Sequence, residues 1–238
     1  DFQVQLNGTT AKGLDVNTFY SQRFNKAGTT VFASYNRNWA YDPSDVGFTA
    51  IPEFDRFTLN PTIFLYPSEN TIASLGIEAM IEDRLGGDIH YIKHGHTSDH
   101  PYFEKNRSQR YSSRLNVKHK LNGNSSLNLK NSVTLFRRKL EIPDYRFNGD
   151  QWSSFSELSY INSREKCEWI AGANAWTEHF DEKQLTSIPA RDFSLNTFGA
   201  FVQNTVNISE KMIIESGLRG DYVHDYGFAI LPRISALY

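Results

Sequence analysis

The chain has 238 residues, with 25 Lys and Arg against 27 Asp and Glu, so it offers no general basic field to a nucleic-acid backbone. Its single cysteine, Cys167, excludes an internal disulfide framework and any multi-cysteine metal site. A mean hydropathy of -0.52 and apolar runs of only a handful of residues exclude a membrane-spanning helix, but not a transmembrane barrel, which faces lipid with alternate residues only.

Aromatic residues make up 14% of the chain and Met only 2 residues, a β composition. In chain order, Phe2 to Asn7 and Leu14 to Phe24 alternate with some noise. From Thr30 to Asp42, Val31, Ala33, Tyr35, Trp39 and Tyr41 share one face, against Thr30, Ser34, Asn36, Asn38 and Asp42, with Arg37 as the misfit. Arg56 to Leu65 groups Phe57, Leu59, Pro61, Ile63 and Leu65. The next run is cleaner: Ala73, Leu75, Ile77, Ala79 and Ile81 oppose Ser74, Gly76, Glu78, Met80 and Glu82. Tyr111, Leu115, Val117 and Leu121 oppose Arg110, Arg114, Lys118 and Lys120, and Leu127, Leu129, Val133 and Leu135 oppose Asn128, Lys130, Thr134 and Arg138. Weaker alternation continues through Trp152 to Ile161, Trp169 to Phe180, Leu195 to Val206, Met212 to Val223 and Ile230 to Tyr238, about twelve strands in all. Many of them run to roughly 12 to 15 residues, against about five or six in ordinary sheets.

The connections alternate in kind. Asn25 to Gly28, Pro67 to Asn70, Leu121 to Asn124, Ser163 to Cys167 and Asn207 to Lys211 are short turns. Between them lie Pro43 to Pro52, Leu85 to Asn106, Glu141 to Gly149, Asp181 to Ala190 and the shorter His224 to Phe228. A meander with one plain end and one elaborated end is the pattern of an outer-membrane barrel. Tyr20, Phe24, Trp39, Tyr41, Tyr66, Tyr111 and Trp152 are placed to form interfacial girdles. The expected fold is all-β: an antiparallel up-and-down transmembrane β-barrel.

FGAFVQNTVNISEKMIIESGLRGDY at Phe198 to Tyr222, followed by FAILPRISALY from Phe228, resembles the barrel of TonB-dependent outer-membrane receptors. The order of Gly199 to Gln203, Ser209 to Lys211, Gly217 to Tyr222 and Pro232 to Arg233 carries the likeness. GTTVFASYNRNWAYDP at Gly28 to Pro43 and the stretch from Phe147 to Tyr160 read as earlier strands. The resemblance implies a partial barrel domain over 1–238, about 12 strands of a 22-stranded barrel whose plug and later strands lie outside it. A complete 12-stranded barrel is the alternative.

By the same resemblance the chain is no enzyme and needs no cofactor. It is the wall of an energy-coupled importer in the Gram-negative outer membrane, siderophore-receptor-like, with outer-membrane lipid, a small metal chelate such as a ferric siderophore, and the TonB complex, reached through the plug, as partners. A passive porin-like channel and a soluble carbohydrate-binding or hydrolysing β protein are the competing readings.

Leu85 to Asn106 carries the densest chemistry, with His90, Tyr91, His94, His96, Asp99, His100, Tyr102 and Glu104. At about 22 residues it is longer than most structureless connections, which tend to be functional. Tyr91, His94, His96, His100 and Tyr102 are the candidate ligand-binding residues, because imidazoles and phenols can grip both a chelate and its organic shell. Convergence of His94, His96 and His100 on a divalent metal is the sharper alternative, although no resident metal site is expected. Glu78, Glu82, Glu157, Glu178 and Glu215 invite a two-carboxylate hydrolase reading, but their strand faces suit a lumen lining paired with Arg110, Arg114, Lys130 and Arg219.

Overall fold

The computed structural model describes residues 1–183 and 189–238. Twelve strands follow one another in a single antiparallel sheet in which each pairs only with its sequence neighbours. They are β1 (Phe2–Gly8), β2 (Gly13–Arg23), β3 (Ala27–Asn38), β4 (Glu53–Ser68), β5 (Thr71–Gly87), β6 (Phe103–Lys120), β7 (Ser125–Ile142), β8 (Tyr145–Arg164), β9 (Cys167–Glu182), β10 (Phe193–Ser209), β11 (Met212–Val223) and β12 (Gly227–Leu237), with one short helix, α1 (Ile89–His94). The strands from β4 to β10 run 16 to 20 residues, about three times an ordinary strand. A strand of that length has to cross something thicker than a soluble sheet.

The sheet's burial is inverted relative to a soluble protein. Among the described residues no hydrophobic side chain is buried, whereas Ser34, Asn38, Glu82, Ser108, Ser159 and Asn174 are. Leu75, Ile77, Leu158 and Ile63 are each about half exposed, at 47, 54, 53 and 51%. Such a sheet has no apolar core, and only an apolar solvent would stabilise its outer face. This is the wall of an antiparallel up-and-down transmembrane β-barrel, and the soluble β-sandwich reading fails on it.

The register makes the two faces continuous. Val31 pairs with Pro61, Leu59 with Ala79, Leu75 with Leu115 and Leu129 with Leu158 on the outward face. Asn36 pairs with Arg56, Arg56 with Glu82, and Glu82 with Ser108 on the inward face. A slip of one residue would exchange the faces, so the apolar pattern pins the register across the sheet.

All connections at one end are short: 24–26, 69–70, 121–124, 165–166 and 210–211. Those at the other end are 9–12, 39–52, 88–102, 143–144, 183–192 and 224–226. Two expected loops are shorter than predicted. The stretch Glu141 to Gly149 is mostly strand, because Asp144 adopts φ 61 and closes a tight turn with Pro143 between β7 and β8. Leu85 to Asn106 contracts to 88–102, since Gly86 and Gly87 pair with Glu104 and Phe103 instead of ending the strand. The predicted loop Asp181 to Ala190 lies partly outside the described residues, and its flanks are held by Arg191, which forks onto Glu182 at 2.5 and 2.8 Å.

The girdle expectation holds for Tyr20, Tyr111 and Trp152, which share the outward face with their apolar neighbours. Trp39 and Tyr41 instead lie beyond β3 in the 39–52 connection, and Phe24 sits in a turn. Tyr66 packs beside Gly28 with Arg23 over its ring at 4.4 Å. Arg37 is no misfit. It does face outward, but at the loop end of β3, where it meets Asp55 at 3.7 Å beyond the apolar band.

Candidate functional site

The inward face is a hydrated ion-pair lining. Glu82 is buried and takes both Arg56 and Arg84, the latter at 3.2 Å. Glu78 accepts from Asn60 at 3.2 Å, and Arg114 reaches both Asn60 at 3.3 Å and Glu78 at 3.9 Å. Lys130 meets Glu157 at 3.2 Å, and Arg233 meets Glu215 at 3.2 Å. Two expected pairings differ in detail. Arg219 turns to Asp221 at 2.8 Å, and Arg110 lies over the Phe136 ring at 5.7 Å rather than on a carboxylate. Glu178 is held by the Gln151 amide. With each carboxylate engaged by its own donor, the face is built for polar contact rather than for an acid and base flanking one bond.

At the elaborated end, the connection from β5 to β6 is organised by one residue that composition alone would not single out. Asp88 caps α1: its carboxylate accepts from the His90 and Tyr91 backbone amides at 2.7 and 3.4 Å. Its other oxygen lies 2.7 Å from His100 Nδ1. These donors, His100 first, hold the Asp88 carboxyl below its ordinary value. Gly95, at φ 83, ends the helix and donates to the Tyr91 carbonyl at 2.8 Å.

The five predicted binding residues fall into three places. His94 and His100 meet through His90, whose ring stacks on His100 with centroids 4.3 Å apart and lies 4.8 Å from His94. Tyr91 stacks on Phe103 at 4.7 Å, beneath the Lys105 ammonium. Tyr102 donates to Glu104 at 2.5 Å, which pushes its phenol up, and leans on Phe48 at 6.1 Å. His96 faces a separate cavity of about 530 Å³ that it shares with Phe103, Glu141, Tyr145 and Arg146 at the β7–β8 turn. The three imidazoles expected to converge therefore do not, because α1 carries His94 back toward His90 while the chain beyond Gly95 leads His96 away. Among the described residues no group of three His, Cys, Asp or Glu side chains is placed to hold a metal ion.

Three contributors escape a reading by residue type and spacing. Asp88 carries a usable signal, as an N-cap before Ile89. His90 stands in the same loop with nothing in its spacing to set it apart, and it is the hub of the imidazole cluster. The 39–52 connection straps onto this one through Thr49 N to the Gly87 carbonyl and Ile89 N to the Gly47 carbonyl, both 2.9 Å. No sequence signal pairs two loops so far apart.

No family model and no curated protein matches this sequence. Among solved structures, the chain is similar to the copper transporter OprC at 10% identity and TM-score 0.76, covering 99% of this chain and 41% of that one. It is similar to the siderophore receptor PirA from Acinetobacter baumannii at 11% identity and TM-score 0.75, covering 99% and 40%. A mutant of the ferric enterobactin receptor PfeA from Pseudomonas aeruginosa aligns at 10% identity and TM-score 0.72, covering 99% and 40%. The chain thus spans about two fifths of the length of these structures, and the likeness is one of fold.

Proposed function

We propose that the chain is part of the barrel wall of an energy-coupled importer in the Gram-negative outer membrane, of the TonB-dependent receptor kind. The observation that carries this reading is the division of labour in one sheet. Its outward face is apolar and exposed, its inward face is charged and paired, and elaborated connections gather at one end. The fold it shares with two siderophore receptors and a copper transporter supports a small metal chelate as cargo, most simply a ferric siderophore. The wall makes and breaks no bond. It separates lipid from a polar lumen, and the strapped 39–52 and 88–102 connections contact the incoming chelate through Tyr91, His94, His96, His100 and Tyr102. Coupling to TonB would run through a plug domain.

The test uses the intact protein carrying this wall. Residues 90–100 are replaced by a short Gly-Ser turn, and binding and uptake of radiolabelled ferric chelates are measured in cells. Capture through many weak contacts predicts a clear loss of affinity for one chelate, with the barrel still inserted. Unchanged affinity and uptake would remove the loop from the mechanism. Ion conductance without energised uptake of any chelate would make the protein a passive channel instead.

A further inference from the structure

The outward face does not stay apolar to the loop end. On β6 it reads Val117, Leu115, Ser113, Tyr111 and then Gln109 and Arg107; on β7 it reads Leu129, Asn131, Val133, Leu135 and then Arg137 and Lys139. On β8, Leu158, Ser156, Ser154 and Trp152 give way to Asp150 and Asn148. The switch falls just beyond the Tyr111 and Trp152 rings on three neighbouring strands, which is headgroup level if those rings mark the interface.

There the wall encloses a cavity of about 410 Å³ into which Arg107, Arg137, Lys139 and Lys183 project with Asp150 as the one carboxylate of its lining. Asp150 is shared by Arg137 at 3.6 Å and Lys183 at 3.4 Å, and Arg107 turns partly to Asp83 at its margin, at 3.4 Å. Asp181, paired across from Asp150, adds a flanking negative charge. Lys139 has no ion pair among the described residues, and it sits directly opposite Arg107 in the register. Like charges placed opposite each other repel, and a bound anion between them would relieve that repulsion. The side chains of Arg107, Arg137 and Lys183 are 56, 50 and 54% exposed, and Gln109 and Asn148 add neutral donors beside them.

We infer that this cavity binds the phosphorylated headgroup of a lipid in the outer leaflet. Two guanidinium forks and two ammonium groups suit phosphate oxygens, the forks by paired hydrogen bonds and the lysines as point charges. The cavity opens on the outward side of the wall, away from the lumen, so a soluble cargo bound there would lie outside the pore. An acyl chain below the headgroup would instead lie along the apolar face beneath Tyr111 and Trp152. The inference rests on the outer-membrane reading, and its test separates the two.

The intact protein is reconstituted into phosphatidylcholine nanodiscs doped with a bisphosphorylated glycolipid, lipid A, or with its dephosphorylated form, and retained lipid is counted by native mass spectrometry. Arg137→Ala with Lys139→Ala is compared with Arg164→Ala plus Lys166→Ala at the opposite end, and Arg137→Gln with Lys139→Gln keeps side-chain bulk in case the alanines perturb folding. The native protein should favour the phosphorylated lipid, and either patch variant should lose roughly tenfold or more in that preference, with the distal control unchanged. Equal retention of both lipids by the native protein, or equal loss in the distal control, overturns the site. Displacement by millimolar inorganic phosphate would assign it to a soluble anion and overturn the lipid. Surface labelling and ferric chelate uptake by the same variants report on the importer reading independently.

Discussion

Trp152 and Tyr160 stand eight positions apart on the outward face of β8, with Ser154, Ser156 and Leu158 between them. At about 3.3 Å per residue and a strand tilt near 40°, that separation projects to roughly 20 Å along a barrel axis, close to the apolar height of an outer-membrane barrel. Two amphipathic rings at the limits of one strand's apolar face are the arrangement expected of a segment that meets an interface at each end.

If those rings mark the interfaces, the cost of charge on the outward face depends on depth. Leu75→Arg, Ile77→Arg and Leu129→Arg should each destabilise the folded barrel by about 2 to 4 kcal/mol in bilayers, whereas Arg in place of Trp152 should cost about 0 to 1 kcal/mol. Denaturant titration in liposomes checks this, and a flat response along the strand would refute the lipid-facing assignment.

The Glu82 carboxylate holds two guanidinium groups while itself buried. Removing it leaves two partly exposed cations facing each other, so Glu82→Ala should destabilise by about 1 to 3 kcal/mol, less than a fully buried pair because solvent reaches both arginines. Asp83→Ala, which breaks the exposed contact to Arg107 on the other face, should cost under about 1 kcal/mol. Equal losses would mean that burial of Glu82 carries no energetic weight.

Gly172 leaves no room for a side chain: an added Cβ would meet the Phe201 ring at 2.6 Å and the Leu158 carbonyl oxygen at 2.8 Å. The ring could swing aside, but the carbonyl belongs to the neighbouring strand. Gly172→Ala should therefore cost about 1 to 3 kcal/mol and lower the temperature of the heat-modifiability transition. Gly123→Ala, in an open turn with nothing near, should leave it unchanged.

The Asp88 cap predicts a pH dependence confined to one loop. Its carboxyl is held below the ordinary value by His100 and two backbone amides, so the ordering it provides is complete above the unfolded value of about 4 and is lost as pH falls through the lower folded value. Hydrogen exchange of the 89–95 amides should report that loss on the acid side. Asp88→Asn keeps a capping acceptor but removes the titration, and should flatten the profile. An identical acid response in the two proteins would exclude Asp88 as its source.

Most of the wall is legible in the amino-acid sequence. Strict alternation at Ala73 to Glu82 decides which side chains share a face, because the pleat has a period of two whatever the sheet becomes. Short turns at every second connection likewise decide which end is plain. The six outward positions Val31, Leu59, Leu75, Ile77, Leu115 and Leu129 follow from pattern alone and hold in the register. Where β7 and β8 turn is decided by the left-handed backbone of Asp144, a local conformation that the run of polar and aromatic residues around it conceals. The candidate site is legible only as composition. Which imidazoles meet depends on a single-turn helix capped by Asp88 and on a strap from a loop about forty residues earlier. The gathering of Arg107, Arg137, Lys139 and Lys183 depends likewise on inter-strand register, which brings together charges from separate segments of the chain. Periodicity is a property of one strand at a time, whereas a site is a property of neighbours, and neighbours exist only once the sheet has closed its hydrogen bonds.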